Sequence, residues 1–527
     1  MKNALNIKDI DTIPTLLFRL AEHFSNTTAV KIKSQEGIIE KTYLQLKNDS
    51  MSICYGLINR DIVEEKIAVI GEINYEWIVA YFGIISAGNV VVPIDKDLES
   101  KEIKKLLNQA DVSVVFYDNR FKDIVEYVKE SCKNVKLFVS FQQTEDEISI
   151  YDLINDTSNV VSHKININPD QTAMIVFAVN QNGENKGAML SNKNICHNLI
   201  GTVLLLGEDF LKKGESTILI LPPHHMFAIT QLLLAMYYGV TACIGGGLGD
   251  FFKNIKLFKP AVLFLVPMIV ESIYKKICKE ANKAAKDLKC DIKDLIYQKS
   301  LDVLGGNLRV IFSGGAVLPP YLVDKYQEIG ITLLNGYGIT ECSPVVACNR
   351  PQLIKKDSVG CIAPKPYCEV KIKDNEILVR GSIVMQGYYK DEISTGQAFD
   401  GEWFKTGDLG YIDDDNYLYI TGLKKNLIIL KDGNNISPVE IEKRLEQHPL
   451  IEIAMVYVGN KNEKDILAAM IYPNYEYAAE NGIDDIESMV EKAVDEINQV
   501  IPIYKRVRKI EIQKNKFNKT QLRELYK

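Results

Sequence analysis

The sequence predicts an α/β protein with a large N-terminal domain of parallel or mixed sheets flanked by helices, and a smaller α+β C-terminal domain. Short apolar segments alternate with helix-like segments, which is typical of parallel strands joined by crossover helices. The chain has 527 residues, too many for one hydrophobic core. A polar stretch follows a strand-like segment near Gly422. The roughly 100 residues beyond it are enough for a small domain.

Each predicted strand is a short apolar run that ends at a turn residue or a helix pattern. Residues 66–71 end in glycine, and residues 76–87 then have a helical pattern. The most apolar segment, residues 229–244, is shorter than a membrane span, so we predict a buried helix there. Further strands are predicted at residues 89–94, 112–117, 173–177, 216–221, 261–266, 308–312, 329–334 and 416–421.

The second domain is predicted from the polar link that follows residue 421. We place the domains at residues 1–422 and 423–527. Ser437 is a candidate helix cap, and Pro438 suits the first helical position, so a helix is expected over residues 438–446.

Composition and charge exclude several classes of protein. The net charge of −7 gives no basic surface, so a nucleic-acid partner is not expected. The ten cysteines and six histidines show no zinc spacing. Free buried thiols fit a reducing compartment. Residues 1–9 lack the apolar core of a secretory signal, and no transmembrane segment is predicted. We therefore expect a cytoplasmic protein.

Two motifs carry the chemistry. Residues 335–341 have the sequence Asn-Gly-Tyr-Gly-Ile-Thr-Glu, and residues 404–410 have the sequence Phe-Lys-Thr-Gly-Asp-Leu-Gly. In this order they resemble the adenylate-forming (ANL) superfamily, which includes acyl-CoA synthetases, luciferases and peptide-synthetase adenylation domains. The resemblance covers essentially residues 12–523. Within the superfamily, the sequence is most similar to bacterial fatty-acid–CoA ligases. It implies the ANL fold and the joining of a carboxylic acid to AMP.

The resemblance assigns a set of nucleotide-binding residues. It implies that Gly315 and Tyr337 sandwich the adenine and that Asp408 accepts both ribose hydroxyls, since a carboxylate offers two acceptor oxygens. A glycine pair after a strand allows close approach by a flat ligand. The residues that the resemblance implies for binding the adenosine part of the nucleotide are Gly314, Gly315, Ala316, Tyr337, Gly338 and Asp408.

The same resemblance assigns the catalytic residues and the metal. Thr340 is implied to contact the phosphate or the acyl carboxylate, and Glu341 to hold Mg²⁺, a hard cation that prefers oxygen ligands. Lys519 aligns with the lysine that stabilises charge during adenylation, although Asn518 replaces a glycine. A lysine-rich terminus that is only a solvated surface is the alternative for Lys519.

The segment 178–191 resembles the family's phosphate-binding loop but departs from it. Gly183, Lys186 and Gly187 match, and they shape and charge a nest for phosphate oxygens. The sequence Ala-Val-Asn-Gln-Asn over residues 178–182, together with Asn185, replaces the family's usual hydroxyls, a glycine and the proline. Two alternatives remain open: asparagine amides bind in place of the hydroxyls, or ATP binding is weakened.

The hinge region carries a second departure. Leu423 occupies the place of a family arginine and cannot donate a hydrogen bond. Lys424 is a candidate point charge there, without the planar fork of arginine. Lys425 falls at the position that serves as a hinge in the family. The resemblance implies that the backbone dihedral angles change there when the small domain rotates between adenylation and thiol transfer.

The acyl pocket is indicated by residues 221–227. His225 matches the family's histidine, and a histidine packed near a helix start is the alternative. The positions after it, Ala228, Ile229 and Thr230, lack the aspartate with which amino-acid-activating relatives pair an ammonium group. An unpaired buried ammonium is costly, so an apolar acid is favoured.

These features predict an AMP-forming acid–thiol ligase. It would activate an apolar, fatty-acid-like carboxylate with MgATP and transfer the acyl group to coenzyme A or to the phosphopantetheine of an acyl or peptidyl carrier protein. The alternative is an impaired relative that binds a nucleotide or acyl-adenylate and acts as a scaffold or regulator. The altered loop, Leu423 and Asn518 favour this alternative.

Overall fold

A computed structural model of the protein describes residues 10–144, 147–155, 166–179, 185–288, 292–424, 428–429, 435–436, 438–461, 464–501, 503–519 and 522. The chain divides into two compact units. The first unit comprises Met1–Lys371, Leu378–Lys405 and Asp413–Leu418. The second comprises Ile372–Ile377, Thr406–Ile412 and Tyr419–Lys527.

The helices are distributed over the whole chain. In chain order they are α1 Ile13–Phe24, α2 Tyr43–Ile58, α3 Tyr75–Ser86, α4 Ser100–Gln109, α5 Lys122–Ser131, α6 Ile150–Asn155, α7 Asn192–Leu206, α8 Met226–Tyr237, α9 Phe251–Phe258, α10 Pro267–Leu288, α11 Ile292–Leu304, α12 Pro320–Glu328, α13 Glu392–Ala398, α14 Pro438–Glu446, α15 Tyr475–Glu480 and α16 Ile486–Val500. Along the part of the chain that the structure describes, every helix is too short or too polar to cross a membrane.

The strands alternate with these helices. In chain order they are β1 Thr28–Lys33, β2 Ile38–Thr42, β3 Lys66–Ile70, β4 Val90–Ile94, β5 Val112–Tyr117, β6 Leu137–Ser140, β7 Thr172–Val179, β8 Asn185–Ser191, β9 Ser216–Ile218, β10 Thr241–Ile244, β11 Val262–Leu265, β12 Val310–Ser313, β13 Thr332–Gly338, β14 Val345–Cys348, β15 Gly360–Ile362, β16 Glu369–Lys373, β17 Glu376–Arg380, β18 Gly387–Tyr388, β19 Phe399–Asp400, β20 Trp403–Ile412, β21 Tyr417–Leu423, β22 Ile428–Ile429, β23 Asn435–Ile436, β24 Ile451–Lys461, β25 Lys464–Pro473 and β26 Lys509–Ile512.

Two mixed sheets organise the first unit. One contains the neighbouring strands β14-β13-β12-β11-β9-β10-β1-β2, of which β13 to β1 run parallel. The other has the order β18-β8-β7-β4-β3-β5-β6, and its strands from β7 to β6 are parallel. Antiparallel pairs are formed by β1 with β2 in the first sheet, and by β7 with β8 and β8 with β18 in the second. The predicted α/β class with mixed sheets is therefore confirmed.

The two faces of strands β11 and β12 have different roles. Leu263, Leu265 and Ile311 pack into a buried cluster with residues of α9, α10 and α12. Because side chains alternate along a strand, Phe264 and Phe312 point to the other face. One face thus fixes the sheet in the core while the other is available to line a cavity.

The structure corrects the helix predicted over residues 229–244. Helix α8 ends at Tyr237, and Thr241–Ile244 is strand β10. Gly239 ends the helix with φ +70°, a left-handed conformation that favours glycine. An apolar run alone does not distinguish a buried helix from a buried strand, and here it spans both.

The segment 178–191 is also more regular than the predicted loop. Ala178 pairs with Lys186 and Phe177 with Gly187 across the antiparallel strands β7 and β8. Lys186 and Gly187 therefore lie in a strand. Residues 180–184, which include the predicted Gly183, lie outside the described residues.

The second unit has its own α+β core. Strands β24 and β25 are antiparallel, and β26 adds in parallel to β25. Ile441 and Leu445 of α14 and Val490 and Val494 of α16 pack with the sheet in one hydrophobic cluster. Pro438 begins α14 as predicted. Lys425 lies outside the described residues.

Candidate active site

A cavity of about 290 Å³ opens at the carboxyl ends of the parallel strands in the first unit. Its lining includes Gly314 and Gly315 after β12, Gly336 to Gly338 at the end of β13, and Val266 after β11. The carboxyl ends of parallel strands share one edge of a sheet, and ligands of open α/β sheets bind at such edges. The parallel topology thus brings these distant segments of sequence to one site.

The predicted adenine-binding residues meet in this cavity. Gly315 and Tyr337 both line it, together with Gly314 and Gly338. Gly315 has φ +81°, so a side chain there would strain the backbone. A Cβ at Gly338 would collide with the carbonyl oxygen of Pro344. Ala316 is exposed and follows directly after Gly315.

Glu341 lies in a short 3₁₀ turn after β13 and is only 6% exposed. The Tyr388 hydroxyl donates to its Oε1 at 2.8 Å, and the Met385 amide donates to its carbonyl oxygen at 2.7 Å. Burial raises the pKa of the Glu341 carboxyl, and the hydrogen bond from Tyr388 opposes this. The side chain is therefore held in one position. Thr340, the residue before it, lines the cavity.

The surroundings of Glu341 fit Mg²⁺ as a partner of ATP. Among the residues that the structure describes, none of the His, Cys, Asp and Glu side chains gather in threes as an all-protein metal site. Mg²⁺ is usually bound by one or two carboxylates plus substrate phosphates, and the single buried carboxylate of Glu341 is compatible with that mode of binding.

Lys186 is engaged by side chains of the same unit. Its ammonium donates to Asp391 Oδ2 at 2.5 Å and to Ser394 Oγ at 2.8 Å. The ion pair with Lys186 lowers the pKa of the Asp391 carboxyl to about 2. Gly187 is required beside it, because a Cβ there would lie 2.8 Å from Ile175 Cγ2.

His225 lies directly before α8 and lines the cavity. Its ring centroid is 4.2 Å from that of His224. Burial lowers the pKa of the His225 ring and lowers that of His224 to about 4. Both rings are therefore neutral at pH 7. The His225 side chain thus lines the cavity and also packs against His224, so both features expected from the sequence are present.

The second unit holds the other predicted residues. Asp408 lies in β20, where its amide donates to Thr406 Oγ1 at 3.0 Å. The buried Glu376 accepts from Lys424 Nζ at 2.6 Å and from the Gly407 amide at 3.2 Å. Lys424, considered above as a point charge for the nucleotide, is thus ion-paired with Glu376. Leu423 is 38% exposed at the end of β21.

Lys519 is paired with acidic residues of α14. Its ammonium forms an ion pair with Glu446 and lies 3.9 Å from Glu442 Oε2. Glu446 and Glu442 also accept from the amides of Ala454 and Val456, at 2.8 and 2.7 Å. These two glutamates therefore link Lys519 to the edge of β24.

Sequence reasoning missed Tyr388, Asp391 and Glu376. Each contacts a residue that the sequence analysis named, but the two partners are far apart in the chain. The separation is 47 residues for Tyr388 and Glu341, 205 for Asp391 and Lys186, and 48 for Glu376 and Lys424. No local spacing relates the members of such pairs.

Known proteins similar to this chain are acyl- and aryl-CoA ligases. The long-chain-fatty-acid–CoA ligase FadD15 of Mycobacterium bovis is 28% identical over 465 residues, which cover 82% of this chain and 76% of that protein. The indoleacetate–CoA ligase of Aromatoleum aromaticum is 25% identical, with 83% and 82% covered. The crystal structure of the anthranilate CoA ligase AuaEII with anthranoyl-AMP superposes with a TM-score of 0.75 at 21% identity, covering 98% of this chain and 97% of that chain.

The family assignment rests on two matches along the chain. The family model of the AMP-binding enzymes matches residues 17–389, and that of the AMP-binding enzyme C-terminal domain matches residues 425–524. The first match alone spans more than half of the chain, and the fold agrees with that of the anthranilate ligase. The chain therefore belongs to the family of AMP-binding enzymes, as the motifs at residues 335–341 and 404–410 predicted.

Proposed function

We propose that the protein is an AMP-forming acid–thiol ligase that acts on an apolar carboxylic acid. In the first half-reaction a carboxylate oxygen attacks the α-phosphorus of ATP, and pyrophosphate leaves with the electrons of the broken P–O bond. In the second, a deprotonated thiol attacks the acyl carbonyl, and AMP leaves. The observation that carries the proposal is the cavity in which Gly315, Tyr337 and Thr340 meet, followed in the chain by the buried carboxylate of Glu341.

Residues of the first unit would bind the nucleotide and orient the acid. Gly315 and Tyr337 flank the adenine, and Gly314, Ala316 and Gly338 shape the same end of the site. The Thr340 hydroxyl donates to the α-phosphate or to the acid carboxylate. Glu341 would hold Mg²⁺, which supplies charge neutralisation at the triphosphate.

Lys186 of strand β8 would bind phosphate by exchanging its present side-chain partners for a phosphate oxygen. Lys186 is held by Asp391 and Ser394. On nucleotide binding its ammonium would move to a phosphate oxygen, with Gly183 and Gly187 allowing close approach of the backbone. Binding positions the groups and stabilises charge, which accounts for most of the rate enhancement in reactions of this type.

Residues of the C-terminal part would complete the site. We place the domains at residues 1–422 and 423–527, with a hinge at Lys425. The match of the C-terminal family model, which begins at residue 425, supports this boundary. Asp408 would accept the ribose hydroxyls, and Lys519 would stabilise negative charge during adenylation.

The acceptor is the thiol of coenzyme A or of the phosphopantetheine on a carrier protein. The names of the related CoA ligases support coenzyme A. His225 and the apolar wall of the cavity favour an uncharged acyl group. We place the reaction in the cytoplasm, where free thiols such as those of the buried Cys196 and Cys342 persist.

ATP–pyrophosphate exchange with a panel of carboxylic acids tests the proposal. We expect exchange that depends on both an acid and Mg²⁺, and mass spectrometry of a complete reaction should detect the thioester. Binding of ATP without exchange for any acid would favour the scaffold alternative. The family matches favour the ligase.

A further inference from the structure

Two buried asparagines lie on one face of α7. Asn194 and Asn198 are four positions apart, which places them on the same side of the helix. They are 7% and 2% exposed. A buried amide side chain is costly unless it is hydrogen-bonded, and asparagine is a poor residue for a helix interior. Both side chains bond to main-chain groups of other segments, which offsets this cost.

Asn198 holds the turn that follows Glu341. Its side-chain amide donates to the carbonyl oxygens of Cys342 at 3.0 Å and Val345 at 2.8 Å, and its Oδ1 accepts from the Val345 amide at 3.3 Å. Cys342 is the next residue after Glu341, and Val345 lines the cavity. One side chain thus fixes both ends of residues 342–345, between the candidate metal carboxylate and the cavity.

Asn194 holds a second segment, residues 382–384. Its side-chain amide donates to the carbonyl oxygens of the first and last residues of this segment, at 2.8 and 2.9 Å. The amide of the next residue, Met385, donates to the Glu341 carbonyl oxygen at 2.7 Å. Tyr388, three positions further along the chain, donates to the Glu341 carboxylate. Asn194 therefore anchors the segment that contacts Glu341 from the opposite direction in the chain.

Asn194 also joins α7 to the strand that carries Lys186. Its Oδ1 accepts from the Ser191 amide at 2.8 Å, and the Ser191 hydroxyl accepts from the Asn194 amide at 3.1 Å. This reciprocal pair is a capping box. Because Ser191 is the last residue of β8, the start of α7 connects the strand of the candidate phosphate lysine to the segments around the candidate metal ligand.

We propose that Asn194 and Asn198 are positioning residues for the MgATP site, and that through the main chain they set where the Glu341 carboxylate lies relative to Lys186. This inference rests on the proposed ligase function and adds two residues that act through others. A carboxylate and a lysine that serve the same triphosphate need a fixed separation. Residues that orient metal ligands in this way typically contribute about 10- to 100-fold in metal affinity or activity.

Asn198→Ala removes the three bonds to the turn. We expect the Mg²⁺ concentration for half-maximal ATP–pyrophosphate exchange to rise by about tenfold. In the ligand-free protein, deuterium uptake over residues 340–346 should increase, which is a measurement independent of activity. Asn194→Ala should increase the uptake over residues 382–388 instead. Asn198→Ser retains one hydroxyl for hydrogen bonding, so it should give smaller changes in both measurements, and it provides the test if the alanine variant does not fold.

Asn89→Ala is the matched control. Asn89 is 1% exposed, and its side chain also bonds two main-chain groups, the Ile62 carbonyl oxygen and the Glu65 amide, each at 2.9 Å. Its loss should lower Tm but leave the Mg²⁺ dependence unchanged. An equal shift in the control, or an unchanged Mg²⁺ dependence in folded Asn198 variants, would overturn the positioning role and leave the ligase function intact. No exchange with any acid by the unaltered protein would instead refute the ligase function on which the role rests.

Discussion

Two of the predicted catalytic groups, Glu341 and Lys519, are held very differently. Glu341 in the first unit is 6% exposed, follows a central strand and accepts a hydrogen bond from the buried Tyr388. Lys519 in the second unit retains 31% side-chain exposure and forms ion pairs with Glu446 and Glu442. Glu341 is fixed in position, while Lys519 would have to leave its present partners before it could act on a phosphate as proposed.

This difference separates binding from activation. The first unit holds the residues proposed for the adenine, the metal and the acyl group, so under the proposal it supplies most of the substrate-binding groups. The charge that Lys519 supplies is neutralised by acidic neighbours until those ion pairs exchange. Substitutions in the two regions should therefore both lower adenylation, one through loss of the proposed Mg²⁺ ligand and the other through loss of a positive charge.

The largest effect is expected for Glu341→Gln. Glutamine keeps the shape and the hydrogen bond from Tyr388 but removes the charge that would hold Mg²⁺. Adenylate formation should fall by about 10²- to 10³-fold, as on loss of a strong electrostatic group. ATP–pyrophosphate exchange measures the change, and thermal unfolding checks the fold. Glu402→Gln, at an 82% exposed side chain, is the control. Undiminished Mg²⁺-dependent exchange would contradict the assignment.

Lys519→Ala should separate the half-reactions. We expect adenylation to fall by about a hundredfold, because a positive group near the reacting phosphate is lost. Transfer from supplied acyl-AMP to the thiol should remain close to that of the unaltered protein. Lys516→Ala is the matched control, since Lys516 lies three positions before Lys519 and is ion-paired with a different carboxylate, that of Glu452. If both variants behave alike, Lys519 is only part of a solvated surface.

Tyr388→Phe tests how firmly Glu341 is held. Removal of one donor from a buried carboxylate costs about 1–3 kcal/mol, so exchange should fall by about tenfold. The Mg²⁺ concentration for half-maximal exchange should rise, which a purely structural role would not produce. Tyr389→Phe, which removes a hydrogen bond to Asp111 instead, provides the comparison. A fall in Tm without a change in Mg²⁺ dependence would count against the positioning role.

The smallest effect is expected for Leu423→Arg. The new guanidinium would restore a donor for the nucleotide, and one added hydrogen bond of about 1 kcal/mol tightens ATP binding roughly fivefold. Calorimetry with ATP measures the gain, with Leu423→Met as the control for side-chain length. An unchanged Kd would show that the family arginine is not needed by this chain.

Much of the architecture could be predicted from local patterns. The apolar runs at residues 66–71, 112–117 and 308–312 became β3, β5 and β12, because buried parallel strands are continuous apolar segments. The prediction of a helix over residues 229–244 was wrong beyond Tyr237, because a continuous apolar segment does not show where a helix ends and a strand begins. The match to the AMP-binding enzymes confirms the family indicated by the two motifs.

The contacts that hold the site could not be predicted in this way. Asp391 lies 205 residues after Lys186, and Tyr388 lies 47 after Glu341. Only the folded arrangement of β8, β18 and α13 brings these side chains together. The roles of the predicted residues remain predictions that the variants above test.

The ion pair between Lys186 and Asp391 has a consequence for turnover. If Lys186 binds a phosphate oxygen as proposed, Asp391 would compete with the departing pyrophosphate for the same ammonium. Such competition would shorten the residence time of pyrophosphate and oppose the reverse reaction. Asp391→Asn should thus tighten the binding of ATP and, at the same time, slow the release of pyrophosphate. The Asp391 carboxylate would therefore lower the affinity for ATP but increase the rate of turnover.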